Sequence, residues 1–305
     1  MKKKLSKIII FTLLSFCYAQ SKNSYKDFFN KNPFLEGIEV YLDDSDALRG
    51  KIFKTISEEY DLTANGQKFY GDSDSTHKKI NYYFFDIDNK LIKKYFFVIQ
   101  NERVFLHNEY TYVYGNEECS VLEKDYEQNT QEVIKFQKIN NDNNQLYKQI
   151  YPESGITKDV QLSQNIKKEI LTIFSSDPYI LEYELDKENC KLSMVYGEEL
   201  QRTVFYQKGK EIRNIQESYM DTGKLVEVIE FDENYINGIK KTQVFRNGKL
   251  TEEKNTGRVT RKYNAEGFVE YEQIVPFEGK IGTYIIYTAE ILNNEDQFLT
   301  ENMNK

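Results

Sequence analysis

The chain has 305 residues, with 41 Lys and Arg set against 49 Asp and Glu, for a net charge of −8. That acidic balance excludes binding nucleic acid or an anionic membrane through a broad positive field. Two His and three Cys leave too few ligands for a His/Cys zinc centre, and no cofactor is expected.

The N-terminal "MKKKLSKIIIFTLLSFCYAQ" carries Lys2, Lys3, Lys4 and Lys7, then an apolar run from Ile8 to Phe16. The run is shorter than the roughly 20 apolar residues a membrane-spanning helix needs. It fits the charged and apolar regions of a secretory signal. Cys17 and Ala19 are small residues at −3 and −1, so cleavage is expected after Ala19. A lipoprotein signal acylated at Cys17 is one alternative, although Phe16 stands where such signals carry Gly, Ala or Ser. A retained anchor is the other. Cleavage removes four lysines and no acids and leaves a mature net charge of about −12. The expected destination is the periplasm or the cell surface, and no later stretch reaches transmembrane length.

Residues 20–155 form the first expected region, a helix followed by a β-meander. In "DDSDALRGKIFKTISEEY", Ser45 or Asp46 can cap, and Leu48, Ile52, Phe53 and Ile56 have helical spacing, which predicts a helix over 46–60. Beyond His77 the period becomes two. Leu91, Tyr95, Phe97 and Ile99 share one side of a strand with Lys93, and "FDIDNKL" reads as a tight turn. Tyr110, Tyr112 and Tyr114 form a one-sided stripe, either a binding face or sheet core.

Residues 156–292 form the second region. "LSQNIKKEILTIFSSDP" predicts a helix over 163–175, with Ser163 as cap, Ile166, Ile170, Leu171 and Phe174 on one face, and Asp177-Pro178 as the stop. Strands follow to about Leu292, and 293–305 is a polar tail. The expected fold is mainly β: an antiparallel meander of hairpins in an open or stacked sheet, with these two helices. The helix-then-strands order occurs twice, from an internal duplication divided near residue 155 or from one continuous sheet.

From Tyr206 a short unit recurs: "YQKGKEI", "YMDTGKL", "YINGIKK", "FRNGKLT" and "YNAEGFV". Each sets an aromatic three or four residues before a glycine. Gly209, Gly223, Gly238, Gly248 and Gly267 are the expected turn glycines, supplying the φ > 0 that hairpin corners require. The Asn-Gly pairs at 237–238 and 247–248 then read as two successive corners. This stretch, about 206–274, resembles the MORN-variant repeat of bacterial proteins, including the YwqK-type antitoxin family. It departs from the usual pattern at Lys241 and Thr242, where a second Gly is common. It also resembles the Tyr-Asp repeats of large secreted bacterial proteins. The resemblance implies stacked hairpins that scaffold or bind, without catalytic residues.

Three motifs bear on chemistry. Gly71-Asp72-Ser73 resembles the nucleophile block of GDSL-type esterases. Those enzymes place an Asp-x-x-His near the C-terminus, whereas this chain has only His77 and His107. Asp74-Ser75-Thr76 resembles the Bacteroidetes O-glycosylation site. Asp43, Asp44 and Asp46 cluster, but lack the alternating ligands and central Gly of a calcium loop and read as helix-capping acids. Cys119 and Cys190, the two cysteines of the mature chain, either bridge in an oxidising compartment or remain thiols.

The expected function is an exported, non-catalytic β-repeat binding or scaffold protein whose partner is another protein or an envelope component. Two alternatives stand beside it: an immunity-type protein neutralising a toxin, and a carboxylate-dependent hydrolase.

Overall fold

The computed structural model describes residues 28, 31–35, 45–62, 67–69, 78–100, 103–141, 144–150, 156–163, 166–173, 178–185, 189–197, 200–207, 210–221, 223–264, 269–278 and 282–293. Among the described residues, nineteen strands follow a 3₁₀ turn at Ser45–Leu48. The first ten are β1 (Ile52–Leu62), β2 (Lys68–Phe69), β3 (Lys78–Phe85), β4 (Leu91–Gln100), β5 (Arg103–Tyr114), β6 (Glu118–Asp125), β7 (Thr130–Asn141), β8 (Asn144–Ile150), β9 (Ile156–Leu162) and β10 (Ile166–Ile173). The rest are β11 (Tyr179–Leu185), β12 (Asn189–Tyr196), β13 (Leu200–Gln207), β14 (Lys210–Met220), β15 (Gly223–Phe231), β16 (Asn237–Arg246), β17 (Lys249–Tyr263), β18 (Val269–Pro276) and β19 (Gly282–Leu292).

From β4 onward each strand pairs antiparallel with the one before it. The expected open sheet is corrected by β1. It pairs with β3 on one side and, from Ile52↔Leu292 to Leu62↔Gly282, with β19 on the other. The result is a closed barrel of eighteen strands, with β2 a two-residue addition to the end of β1. Closure satisfies backbone groups that an open sheet would leave at its edges.

Both expected helices are strands. Residues 46–60 divide at Gly50, which adopts φ +63 after the 3₁₀ turn. The β-branched, ring-bearing "IFKTISEEYDL" then becomes β1, the strand that closes the ring. The apolar residues read as one helical face lie on both faces of this strand, Phe53 with one core cluster and Ile52 with another. Residues 163–175 contain β10, held between β9 and β11. Ser163 does not cap a helix; its N–H donates to the Ile166 carbonyl at 2.8 Å, closing the β9–β10 hairpin. The alternation here was hidden because the buried face carries Lys167 and Glu169.

The two Asn-Gly pairs also differ. Asn247 (φ 51) and Gly248 (φ 74) form a two-residue corner between β16 and β17. Asn237 and Gly238 instead begin β16, and the preceding corner runs through residues 232–236 with Tyr235 at φ 62. Gly223 likewise begins β15, where a Cβ would lie 2.0 Å from the Phe245 carbonyl oxygen. Close strand approach, not positive φ, requires that glycine. Gly209 and Gly267 lie outside the described residues, as do the signal segment, Asp43, Asp44, the Gly71–Thr76 motifs and His77.

The main core cluster joins Phe28, Phe34, Leu35 and Leu48 to residues from β1, β3–β9 and β11–β13. Contact with so much of the ring places these N-terminal residues in the lumen. Phe34 lies 4.7 Å from Phe136 and 5.3 Å from Tyr147, ring centre to ring centre. Asn32 donates to the Asn89 carbonyl at 3.2 Å and accepts from the Leu91 N–H at 2.7 Å. One end of the barrel is therefore filled.

Candidate functional site

Alternation on each strand separates a luminal face from an outer wall. On β5 the luminal face carries Tyr110, Tyr112 and Tyr114, and the stripe joins the lumen's packing. Tyr112 is buried, and Tyr114 lies 6.1 Å from Phe34 and donates to the Leu91 carbonyl at 2.8 Å. Burial drives the Tyr114 hydroxyl pKa well up. Cys119 and Cys190 face the same lumen as buried, free thiols. Burial pushes the Cys190 thiol up to about 12.

The luminal wall also holds two charged clusters that the sequence reading missed. On β10, Lys167 and Glu169 pair at 2.7 Å, and Lys158 of β9 reaches Glu169 at 3.1 Å. On β17, Arg261 is buried, bonded to Glu272 of β18 and, at 3.0 Å, to Glu211 of β14. Its guanidinium lies 4.1 Å over the Phe231 ring. Burial opposes the Arg261 charge, but Glu211 and Glu272 outweigh it and raise its pKa. Two partly buried acids thus converge, yet a single arginine ties them into one ion cluster. Glycoside hydrolysis needs two carboxyl groups flanking a bond, with one of them protonated. A Lys-x-Glu alternation inside "IKKEILTI" was the available signal for the first cluster. Nothing local marks the second, whose acids lie 50 and 11 residues from Arg261.

The outer wall is laced with cross-strand ion pairs. Lys54 on β1 meets Glu290 on β19 at 2.6 Å, and Glu109 on β5 is held by Lys93 of β4 at 3.1 Å and Lys124 of β6 at 3.2 Å. Similar pairs join Lys168 to Glu182, Lys191 to Glu184 and Lys224 to Glu217. Burial disfavours the Glu109 carboxylate, but hydrogen bonds from Tyr126, Lys93 and Lys124 outweigh it and lower its pKa. His107, next to this patch, pairs with Glu127 at 2.7 Å and touches Asn108.

A cleft of about 520 Å³ opens at the β15–β16 corner, bordered by Glu230, Phe231, Asp232, Lys241 and Arg258. Asp232 caps that corner, accepting the Ile236 N–H at 2.9 Å, and this bond holds its carboxyl below the usual range. Among the described residues no group of three or more His, Cys, Asp and Glu is arranged to hold a metal, and no helix is long and apolar enough to cross a membrane.

No family model matches the chain, and no curated protein does. A solved porin-like protein from Bacteroides uniformis aligns at 9% identity over 79% of this chain and 96% of its own, with a TM-score of 0.23. A transferrin binding protein B variant from Haemophilus parasuis aligns at 7% identity over 80% of this chain and 77% of its own, with a TM-score of 0.16. Superpositions of this quality do not establish a shared fold.

Proposed function

We propose that the chain is an exported, water-exposed β-barrel that acts by binding rather than by conducting solutes or catalysing a reaction. The carrying observation is the charged outer wall. Lys or Arg facing lipid at the bilayer midplane costs roughly 2–4 kcal/mol per residue. Here outward lysines recur around the ring, each paired with a carboxylate on a neighbouring strand. β8, β9 and β11 are seven residues long, shorter than the 9–11 a tilted membrane strand needs. The N-terminal residues fill one end of the lumen, which favours a packed body over a channel. Export rests on the Lys-rich, apolar N-terminus.

The test uses the mature chain, residues 20–305, purified without detergent and then immobilised against an envelope fraction. The expected result is a monodisperse protein that captures a stoichiometric protein partner which a heat-denatured control does not. A toxin as that partner would establish the immunity-type function. A requirement for detergent, with ion conductance in planar bilayers, would overturn the proposal.

A further inference from the structure

A closed ring exposes backbone only where one strand outruns its neighbour. β17 does so. It is fifteen residues long, and β18 joins it only from Gly257↔Pro276. Among the described residues, 249–255 pair with β16 alone, and all seven are exposed. The Asn247–Gly248 corner holds this arm in register. Building on the binding function above, we propose that this free edge of β17 docks an extended basic–apolar segment of a partner protein, which adds as a further strand.

Two observations define the occupant. First, a cross-strand row runs along the outer wall to this edge: Tyr219 beside Lys224, Lys224 beside Phe245, Phe245 beside Leu250. Lys224 lies 5.8 and 5.3 Å over the Tyr219 and Phe245 rings. The row ends on Leu250, half exposed at the edge itself. An added strand brings its own residue beside Leu250, and an apolar side chain there continues the row. Second, the outer face of the arm carries an acid, Glu253, with no ion pair among the described residues. Lys254 is neutralised by Glu278 at 2.6 Å. Glu253 takes a hydrogen bond from the uncharged Gln243, and Glu252 has no ion pair among the described residues. The register sets Glu253 opposite Gln243 and Leu250 opposite Phe245, so Glu253 and Leu250 share the outer face of the arm, and Glu252 lies on the other face. Lys or Arg on the incoming strand beside Glu253 completes the match on the face that carries Leu250. Main-chain hydrogen bonds supply affinity in such additions, and alternate side chains supply selectivity. Charges on an edge also discourage indiscriminate pairing.

The experiment uses the mature chain with three labelled decapeptides of alternating apolar and polar residues: one with two lysines, one with two glutamates in their place, and the lysine peptide interrupted by proline. Binding is read by fluorescence anisotropy, and the docking site by amide exchange. The expected result is binding of the lysine peptide, at least tenfold weaker binding of the other two, and slowed exchange at 249–255. Glu252→Lys combined with Glu253→Lys, both exposed and remote from the core, keeps the thermal midpoint and reverses the preference between the charged peptides. Equal binding of the proline peptide, an unchanged preference in the double variant, or no binding overturns the proposal. Self-association abolished by the double variant overturns the chosen occupant in favour of a second copy of this chain. If the double variant still captures the envelope partner, the arm proposal fails while the binding function stands. If neither form captures a partner, the binding function fails.

Discussion

The Lys167 ammonium, wholly buried in the barrel wall, donates to the Leu35 carbonyl of the N-terminal segment 132 residues earlier. It also pairs with Glu169 at 2.7 Å and lies 5.1 Å over the Tyr183 ring. One side chain thus ties the luminal filling to the wall and balances a buried carboxylate.

Removing that side chain leaves Glu169 beside Lys158 and the Leu35 carbonyl without this donor. Breaking a buried pair from one side costs about 3–5 kcal/mol. Lys167→Ala is therefore expected to lower unfolding free energy by about 3 kcal/mol in urea titration and to speed proteolysis at residues 31–35, which carry Leu35. Retained midpoint and unchanged cleavage would refute the tether.

Phe34 sits among Tyr114, Phe136 and Tyr147. Phe→Ala truncation in a packed core costs about 3–5 kcal/mol. Phe34→Ala is expected in that range, whereas Phe34→Leu loses less because it keeps most of the volume. A loss below about 1 kcal/mol would show that the segment is not part of the core.

Glu109 gives a pH dependence of definite sign. Its folded pKa lies below the unfolded value of 4.5, so its contribution is fully present above about 4.5 and is lost as pH falls through the lower folded pKa. Unfolding free energy followed below pH 5 is expected to fall less steeply in Glu109→Gln than in the wild type. Parallel curves would contradict this. The variant is less stable at neutral pH, because Lys93 and Lys124 lose their shared anion.

The cysteines test the lumen's enclosure. Cys190 has its thiol raised to about 12 by burial, and Cys119 is raised by the same cause. The thiolate is the reactive form. Native protein at pH 8 is expected to react slowly with a disulfide reagent, and both thiols to react at once in denaturant. Rapid native labelling, or a mass two hydrogens below the dithiol, would count against the packed thiol arrangement.

Barrel strength should be uneven. β8 meets β9 over 145–148 and 159–162, and β18 meets β19 over 271–274 and 283–286, the two shortest registers in the ring. Amides there are expected to exchange before those of β1, which pairs with β19 along its whole length. Uniform protection would exclude seams at these junctions.

Much of the strand content was legible in the order of residues. Alternation gave the tyrosine stripe of β5, and Asp88-Asn89 marked a corner, where Asn89 adopts φ 64. The misread segments are those where local pattern and long-range pairing disagree. Leu91 was grouped with Lys93, Tyr95 and Phe97. A bulge opposite Phe84 and Phe85 turns Leu91 to the lumen and leaves the others outside. β10 looked helical because two charges occupy its buried face. The Asn-Gly pair at 237–238 looked like a corner because composition alone cannot tell a turn glycine from a strand glycine. The proposed docking edge was illegible for a related reason. Nothing in "KLTEEKN" says that β18 stops short of it.

Local chemistry therefore decided what depends on neighbours a few residues apart: an apolar, Lys-led start, β-rich strands, and the left-handed corner at Asn247 and Gly248. Tertiary structure decided what depends on partners far apart in the chain. β1 has to find β19 some 230 residues later before the ring exists. Only then do alternate residues acquire an inside and an outside, and only then can Lys167 and Arg261 be buried with their counter-charges. Periodicity states that a strand has two faces; closure assigns one to the lumen and the other to the outer wall.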